Sequence, residues 1–523
     1  MGTDAIVLPA GTLRVTVDGR MDSWNSRYDS DDTGAPTSSR VSLGAELGGE
    51  AVGAGQIGAL APLEARLGAL TGLPSFRMSL GEVRVRAEAR RSTIPIRLEL
   101  GVGHRLQLSA MIPYTETQVV TSTAVNRSAG DGWNAGLNPA LANADAATRN
   151  ATLVNQLRAA AGSLEDALAN CDAGNSSPVC ADPAGARARS DATLALATDI
   201  AEVYGLPGEP SAPVVPRSGS AAATSLATRI ADLRGYYNSL GIEAIGENSA
   251  PAGAVQPLTA PTFQELLGGL DVPIPRSVTR YGLGDMELGA RVLLLDSFSG
   301  EASQESPLPG RIALRASLDG LVRLGTGAPA EADRLLDIGT GDGQTDIEIG
   351  GVADVMVGRR FWTSAAFRYG IQMAGERTVR LPSRAGESYL ATDREERIRV
   401  SPGNYMEIEV TPRMSLGDFV SLATQYRFRH RDADVLERLA GDVGADPVAL
   451  DWLGGLAEAN EHRLGVGLTL STMSAYAEGR IGTPLDVSYL HTRTIAGDGR
   501  STARMATDQV SVRLYLGVFG RRR

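Results

Sequence analysis

The feature that most constrains this chain is a two-residue alternation that recurs from one end to the other. In "DQVSVRLYLG", Val510, Val512, Leu514 and Leu516 alternate with Ser511, Arg513, Tyr515 and Gly517. A β-strand points successive side chains to opposite faces, so this pattern describes a strand with an oily surrounding on one side and one that tolerates charge on the other. "TLRVTVDGRMD" sets Leu13, Val15, Val17 and Met21 against Arg14, Thr16, Asp18, Arg20 and Asp22 in the same way. In "EVRVRAEARR" and "IPIRLELGV" the apolar parity changes between Ala89 and Ile94, which predicts a bulge near Arg91.

Counting those two pieces as one bent strand, the alternation appears about twelve times, with ten to fourteen as the range, in the dyad-repeat style of membrane barrels. A soluble sandwich also alternates, with its charged face in water. Two features favour a closed barrel. Many segments run ten residues or more, against a usual five or six in soluble sheets. Tight connections such as "GVGHR", "VGRR" and "MSLGD" alternate with long ones at residues 25 to 80, 121 to 279, 374 to 396 and 433 to 460. Short turns at one end and long loops at the other are the habit of outer-membrane barrels. The expected fold is therefore all-β, a closed antiparallel transmembrane β-barrel with a helical extracellular insertion.

The expected organisation is residues 1–120, holding strands and the first long loop; 121–279, the helical insertion; and 280–523, the remaining strands. Within the insertion, Leu153, Leu157, Ala160, Leu164 and Leu168 lie on one helical face, as do Leu226, Ile230, Leu233, Tyr237 and Leu240, with Leu196, Ile200 and Val203 on a shorter helix between them. So long a segment is not a structureless loop, and it reads as a cap over the outer mouth. "APLEARLGALTGL" is a second candidate occluding element. Cys171 and Cys180 read as a local disulfide in a Gly/Asn/Ser/Pro-rich stretch, with free thiols as the alternative.

Composition limits the partners. The net charge is −11 and all 50 basic residues are arginine, so no basic patch for nucleic acid is expected. No apolar run reaches the length of a membrane helix. "MGTDAIVLPAG" lacks a signal peptide's basic start and apolar core, which fits either a protein that is not exported or a mature form with a new Met1. For a barrel the expected partners are the lipid bilayer, lipopolysaccharide and a small-molecule solute, in a Gram-negative outer membrane with extracellular loops and periplasmic termini.

Placed inward by parity, the candidate lumen-lining residues are Arg84, Arg86, Glu88, Arg97, Glu99, Asp285, Glu287, Arg291, Arg315, Asp319, Arg323, Asp354, Arg368, Glu407, Glu409, Arg427 and Arg513. Both signs occur at similar depths, which predicts ion-pair ladders that either fill the barrel or form a constriction screening solutes by charge and size. "DIGTGDGQTDIE" offers Asp337, Asp342 and Asp346 as a weak calcium candidate, with a plain tight turn as the alternative; no other metal and no cofactor is expected. His430, His462 and His491 share parity with the outward residues, and His430 and His462 flank one long loop as possible cross-strand neighbours. A hydrolase would also need a nucleophile within reach, so no catalytic residue is assigned.

"YGLGDMELGARVLLL", Tyr281 to Leu295, and "IPIRLELGVGHRLQLSAMIPYTET" resemble the outer-membrane barrels linked to the meta-pathway of phenol degradation, which are similar in outline to the long-chain fatty-acid transporters. That resemblance implies passive uptake of small hydrophobic or aromatic molecules. The fatty-acid transporters carry an N-terminal plug, whereas a first strand beginning near Leu13 leaves no room for one. The expectation is thus an outer-membrane channel or passive transporter and not an enzyme. The alternatives are a surface-displayed binding or structural protein anchored by a sealed barrel, and an outer-membrane lipid hydrolase.

Overall fold

In the computed structural model, residues 3–30, 35–127, 132–171, 177–297, 312–358, 360–439, 450, 453 and 458–517 are described. Thirteen strands form one antiparallel sheet that closes on itself. They are β1 (Thr12–Trp24), β2 (Val83–Gly101), β3 (Leu106–Val125), β4 (Val278–Leu283), β5 (Met286–Asp296), β6 (Ile312–Leu324), β7 (Asp346–Val357), β8 (Phe361–Gln372), β9 (Tyr405–Ser415), β10 (Val420–Arg431), β11 (Ala459–Ser471), β12 (Leu485–Asp498) and β13 (Ala506–Gly517). Because β4 and β5 both pair with β3, end to end, they share one position in the wall, and the barrel has 12 positions.

The outward side chains make a belt of exposed large hydrophobics: Val17, Ile94, Ile96 and Leu98, Leu108 and Ile112, Leu288 and Val292, Phe361 and Phe367, Leu464, Val466 and Leu468, Val510 and Val512. A contiguous apolar band around a whole molecule has no counterpart in water-soluble monomers and fits hydrocarbon. Away from β4, closure leaves every strand of the wall paired on both sides, as hydrocarbon requires. Within the described residues, no helix is long and apolar enough to cross a membrane.

The expected bulge near Arg91 does not exist. The register of β2 with β3 runs unbroken from Val83↔Val125 to Gly101↔Gln107, and that of β2 with β1 keeps the same offset throughout. Odd-numbered residues of β2 point inward along its whole length. What changes at Arg90–Ile94 is the medium: outward residues are charged at Arg84, Arg86, Glu88 and Arg90, then apolar from Ile94 to Leu98, so the belt ends between them. The one-residue shifts that do occur in the wall lie opposite Ala316 and Ser317, between β5 and β6, and opposite His462 and Arg463, between β11 and β12.

Beyond the belt stands a helical unit with its own apolar core. It contains α1 (Ala61–Thr71), α2 (Ala144–Ala169), α3 (Pro183–Tyr204), α4 (Ala221–Ser239) and α5 (Ala260–Gly269). Leu153, Leu157, Ala160, Leu164 and Leu168 of α2, Ile200 of α3, and Leu226, Ile230 and Tyr237 of α4 are all buried in one cluster. The cluster also takes Leu67 and Leu70 of α1, Val83 and Val85 of β2, and Tyr389, so the first long loop and the insertion form one body. Asn143 and Ser220 cap α2 and α4 by accepting from Asp145 N and Ala223 N, satisfying amides the helices leave free. A Cys171–Cys180 disulfide ties the end of α2 to the chain leading into α3.

Candidate functional site: the lumen

Alternation places arginine and carboxylate side chains inside the wall, and register sets them opposite one another. Arg14 and Glu99 are direct cross-strand partners on β1 and β2, with Nε–Oε2 and Nη2–Oε1 both 2.6 Å and both residues buried. Gln107 Nε2 donates to the same carboxylate at 3.0 Å. Arg291 grips Asp319 through two bonds of 2.6 and 3.0 Å. Arg323 lies between Glu287 and Asp346, its direct partners on either side, at 3.2 and 2.9 Å, and Arg97 reaches Glu287 at 3.3 Å. Arg368 pairs with Glu407 at 2.5 Å and approaches Glu409, while Arg315 lies 3.4 Å from Asp296 and 3.9 Å from Asp354. Charges removed from water need partners, and the ladders supply them.

Of the residues that parity assigned to the lumen, Arg84, Arg86 and Glu88 lie elsewhere. They are exposed on the outer surface of β2 above the belt, paired with Glu82 and Arg90 where a pair exists, because the supposed bulge reversed the assignment of that half-strand. Arg91, two positions past Ala89 on the inward parity, takes their place and lines the largest lumenal chamber. Arg429 and Arg463 also point inward; both carry the parity of Arg427 or of buried neighbours and were legible by the same rule. Arg513 borders the chamber nearest the turn end, while Val512 lies on the outward, apolar parity.

The N-terminal segment is the largest departure from expectation, for the space ahead of Leu13 does hold a plug. Residues 3 to 8 run inside the barrel, held mainly through their backbone: Thr3 N donates to Glu409 Oε1 at 2.8 Å, Ala5 N to Asp354 Oδ2 at 3.0 Å, and Leu8 N to Gln107 Oε1 at 3.0 Å. Arg291 donates to the carbonyls of Asp4 and Ile6, and Arg368 to the Thr3 hydroxyl. Ala5 seats against Val352 and Ala366. The strand end is cut to fit, since a Cβ on Gly101 would come within 2.2 Å of the Pro9 carbonyl.

Three chambers remain, of about 690, 820 and 260 Å³. Thr3 borders the second and third and Asp4 the third, so the tip of the segment meets both. The wall itself is interrupted at Gly284–Asp285. Above that point β4 pairs with β3 on one edge, and among the described residues no strand pairs with the other. Residues 325–345 seal the place instead: the Asp285 carboxylate accepts from Gly327 N at 2.8 Å and Asp342 N at 3.1 Å, Thr340 Oγ1 donates to Leu283 O, and Arg280 holds Asp337 at 2.7 Å.

The calcium candidate is not assembled. Asp337 is engaged by Arg280, Asp346 by Arg323, and Asp342 accepts from the backbone of Gln344; among the described residues no group of three metal-binding side chains occurs. The histidines sit on the outer face near the long-loop end. His462 meets the Tyr426 hydroxyl at 2.8 Å, His430 meets Asn460 at 2.9 Å, and His491 meets Asp508 at 2.9 Å. His430 and His462 are diagonal neighbours across β10 and β11, with Phe428 directly opposite His462.

No family model and no curated protein matches the chain. Among solved structures it is similar to an outer membrane channel from Pseudomonas putida F1, at 9% identity, covering 99% of each chain, with a TM-score of 0.41. A deltaS2S3 mutant of the TodX monoaromatic hydrocarbon channel aligns at 10% identity over 98% of this chain and 91% of that one, TM-score 0.28. The Ralstonia pickettii toluene transporter TbuX aligns at 7% identity over 97% and 90%, TM-score 0.26. These are likenesses of barrel outline; the ladders, the plug and the interrupted wall are read from this chain's own residues.

Proposed function

We propose that the protein is an outer-membrane channel for small molecules in a Gram-negative bacterium, with the helical unit and long loops outside the cell, the termini in the periplasm, and residues 3 to 8 as its gate. One observation carries this reading. The lumen is obstructed by a segment tied down through a handful of backbone hydrogen bonds, with two polar chambers meeting at its tip, and not by side chains meeting across a dry core. Polar chambers lined by paired charges accommodate water and solute. The belt contacts lipid and, in the outer leaflet, lipopolysaccharide.

Deleting residues 3–8 tests it: single-channel conductance in planar bilayers should rise well above that of the full chain. Unchanged conductance would leave a sealed barrel anchoring the helical unit as the better account.

A second reading is favoured by the unpaired edge of β4. Small hydrophobic or aromatic solutes would leave sideways through the gap sealed by residues 325–345, because an apolar molecule gains nothing from crossing the charged lower lumen. A hydrolytic role has less support, since the three outer-face histidines meet a phenol, an amide and a carboxylate rather than a nucleophile.

A further inference from the structure

On the inner wall of β10 and β11, Arg427, Arg429 and Arg463 share the neighbouring carboxylates unevenly: Arg429 lies in register with Glu407 of β9 and Glu461 of β11, yet both acids are bound by other arginines. Arg427 and Arg463 are direct cross-strand partners, a like-charged pairing that costs stability wherever it occurs. Arg429 is the next inward residue along β10. Arg427 is 3.1 Å from Glu407, but that carboxylate is already bound by Arg368. Arg463 takes Glu461 at 2.7 Å. Arg429 stacks over the Tyr405 ring at 4.4 Å, and among the described residues no acid lies within ion-pair distance of it.

Their position matters as much as their charge. Arg429 borders the first and second chambers, Arg427 the second and third, and Arg463 the first and third, so the three together touch every compartment of the lumen. A set serving only to fill the barrel would pair off, as Arg14 with Glu99 does. An arginine fork left open toward a chamber matches the planar oxygens of a carboxylate or the faces of a phosphate.

We propose that Arg427, Arg429 and Arg463 form an oxyanion-binding station for a small solute bearing a carboxylate or phosphate group. The inference rests on the channel reading only for where such a solute goes; binding itself is independent of flux. The planar ring of Tyr405 holds the Arg429 guanidinium in place, so the site is preorganised before the anion arrives.

Benzoate, its uncharged isostere benzamide, and inorganic phosphate, titrated calorimetrically into the full chain in detergent, test the proposal. Benzoate or phosphate should bind and benzamide should not, and Arg429→Gln should weaken the anion by roughly ten- to hundredfold, as loss of a charge-assisted bond does. Whichever anion binds identifies the source chemistry. The comparison of benzoate with benzamide needs no variant, so a misfolded Arg429→Gln does not blunt it. Equal binding of the two, or no anion binding at all, would overturn the station. Absent conductance with intact anion binding would sink the channel reading alone.

Discussion

Arg14 and Glu99 face each other from adjacent strands with two 2.6 Å contacts, both buried, a few residues from the mouth through which the chain enters its own barrel. A pair so well matched is costly to break from one side. Glu99→Gln should destabilise the barrel by about 3 to 5 kcal/mol, because it leaves a buried guanidinium without its counter-charge. The double change Arg14→Met with Glu99→Gln should recover much of that loss. Heat-modifiable gel mobility reads both.

The two faces of β13 should differ sharply. Val512→Arg places a charge in the belt and should cost roughly 2 to 4 kcal/mol, impairing assembly in a detergent-shift assay. Arg513→Leu, one residue on and facing the lumen, should still assemble. Equal tolerance of the two would reverse the assignment of inside and outside.

Asp285 holds two backbone amides of the segment that closes the wall gap. Asp285→Ala should leave both unsatisfied at about 1 to 3 kcal/mol each, loosening residues 325–345. Limited proteolysis should then cut within that segment while the barrel stays resistant; an unchanged cleavage pattern would show that the seal does not depend on Asp285.

Burial pushes the phenols of Tyr204 and Tyr389 above their ordinary value, which is near 10 in model peptides. A raised folded-state value means the neutral form contributes fully below about pH 10, and that stability is lost as pH climbs past the unfolded value toward the folded one. Far-ultraviolet ellipticity of the helical unit should therefore hold to about pH 10 and decline beyond it. Tyr389→Phe should flatten the decline, at the loss of the hydrogen bond that Tyr389 donates to Leu47 O.

Reducing the Cys171–Cys180 bridge should have only a local effect, at most about 3 kcal/mol for so short a loop. The buried faces of α2 and α3 remain packed without it. Helix content after reduction measures this directly.

How much of this was written in the chain follows from which signals are local. Twelve segments of alternation and the spacing of Leu153, Leu157, Leu164 and Leu168 each depend on residues a few positions apart, so the sequence by itself determined strands, helices and the fact that each strand meets two different surroundings. It did not determine which surrounding. The same exchange of apolar parity at Ala89–Ile94 fits a bulge in one medium or an unbroken strand crossing from one medium to another, and only the register of β2 against both neighbours decided for the second. The plug was illegible for a different reason. Thr3 to Leu8 have no periodicity to read, and their place is fixed by backbone amides donating to Glu409, Asp354 and Gln107, carboxylate and amide groups 99 to 406 residues away in the chain. Contacts of that separation exist only once the barrel has closed, and closure is a property of the whole sheet.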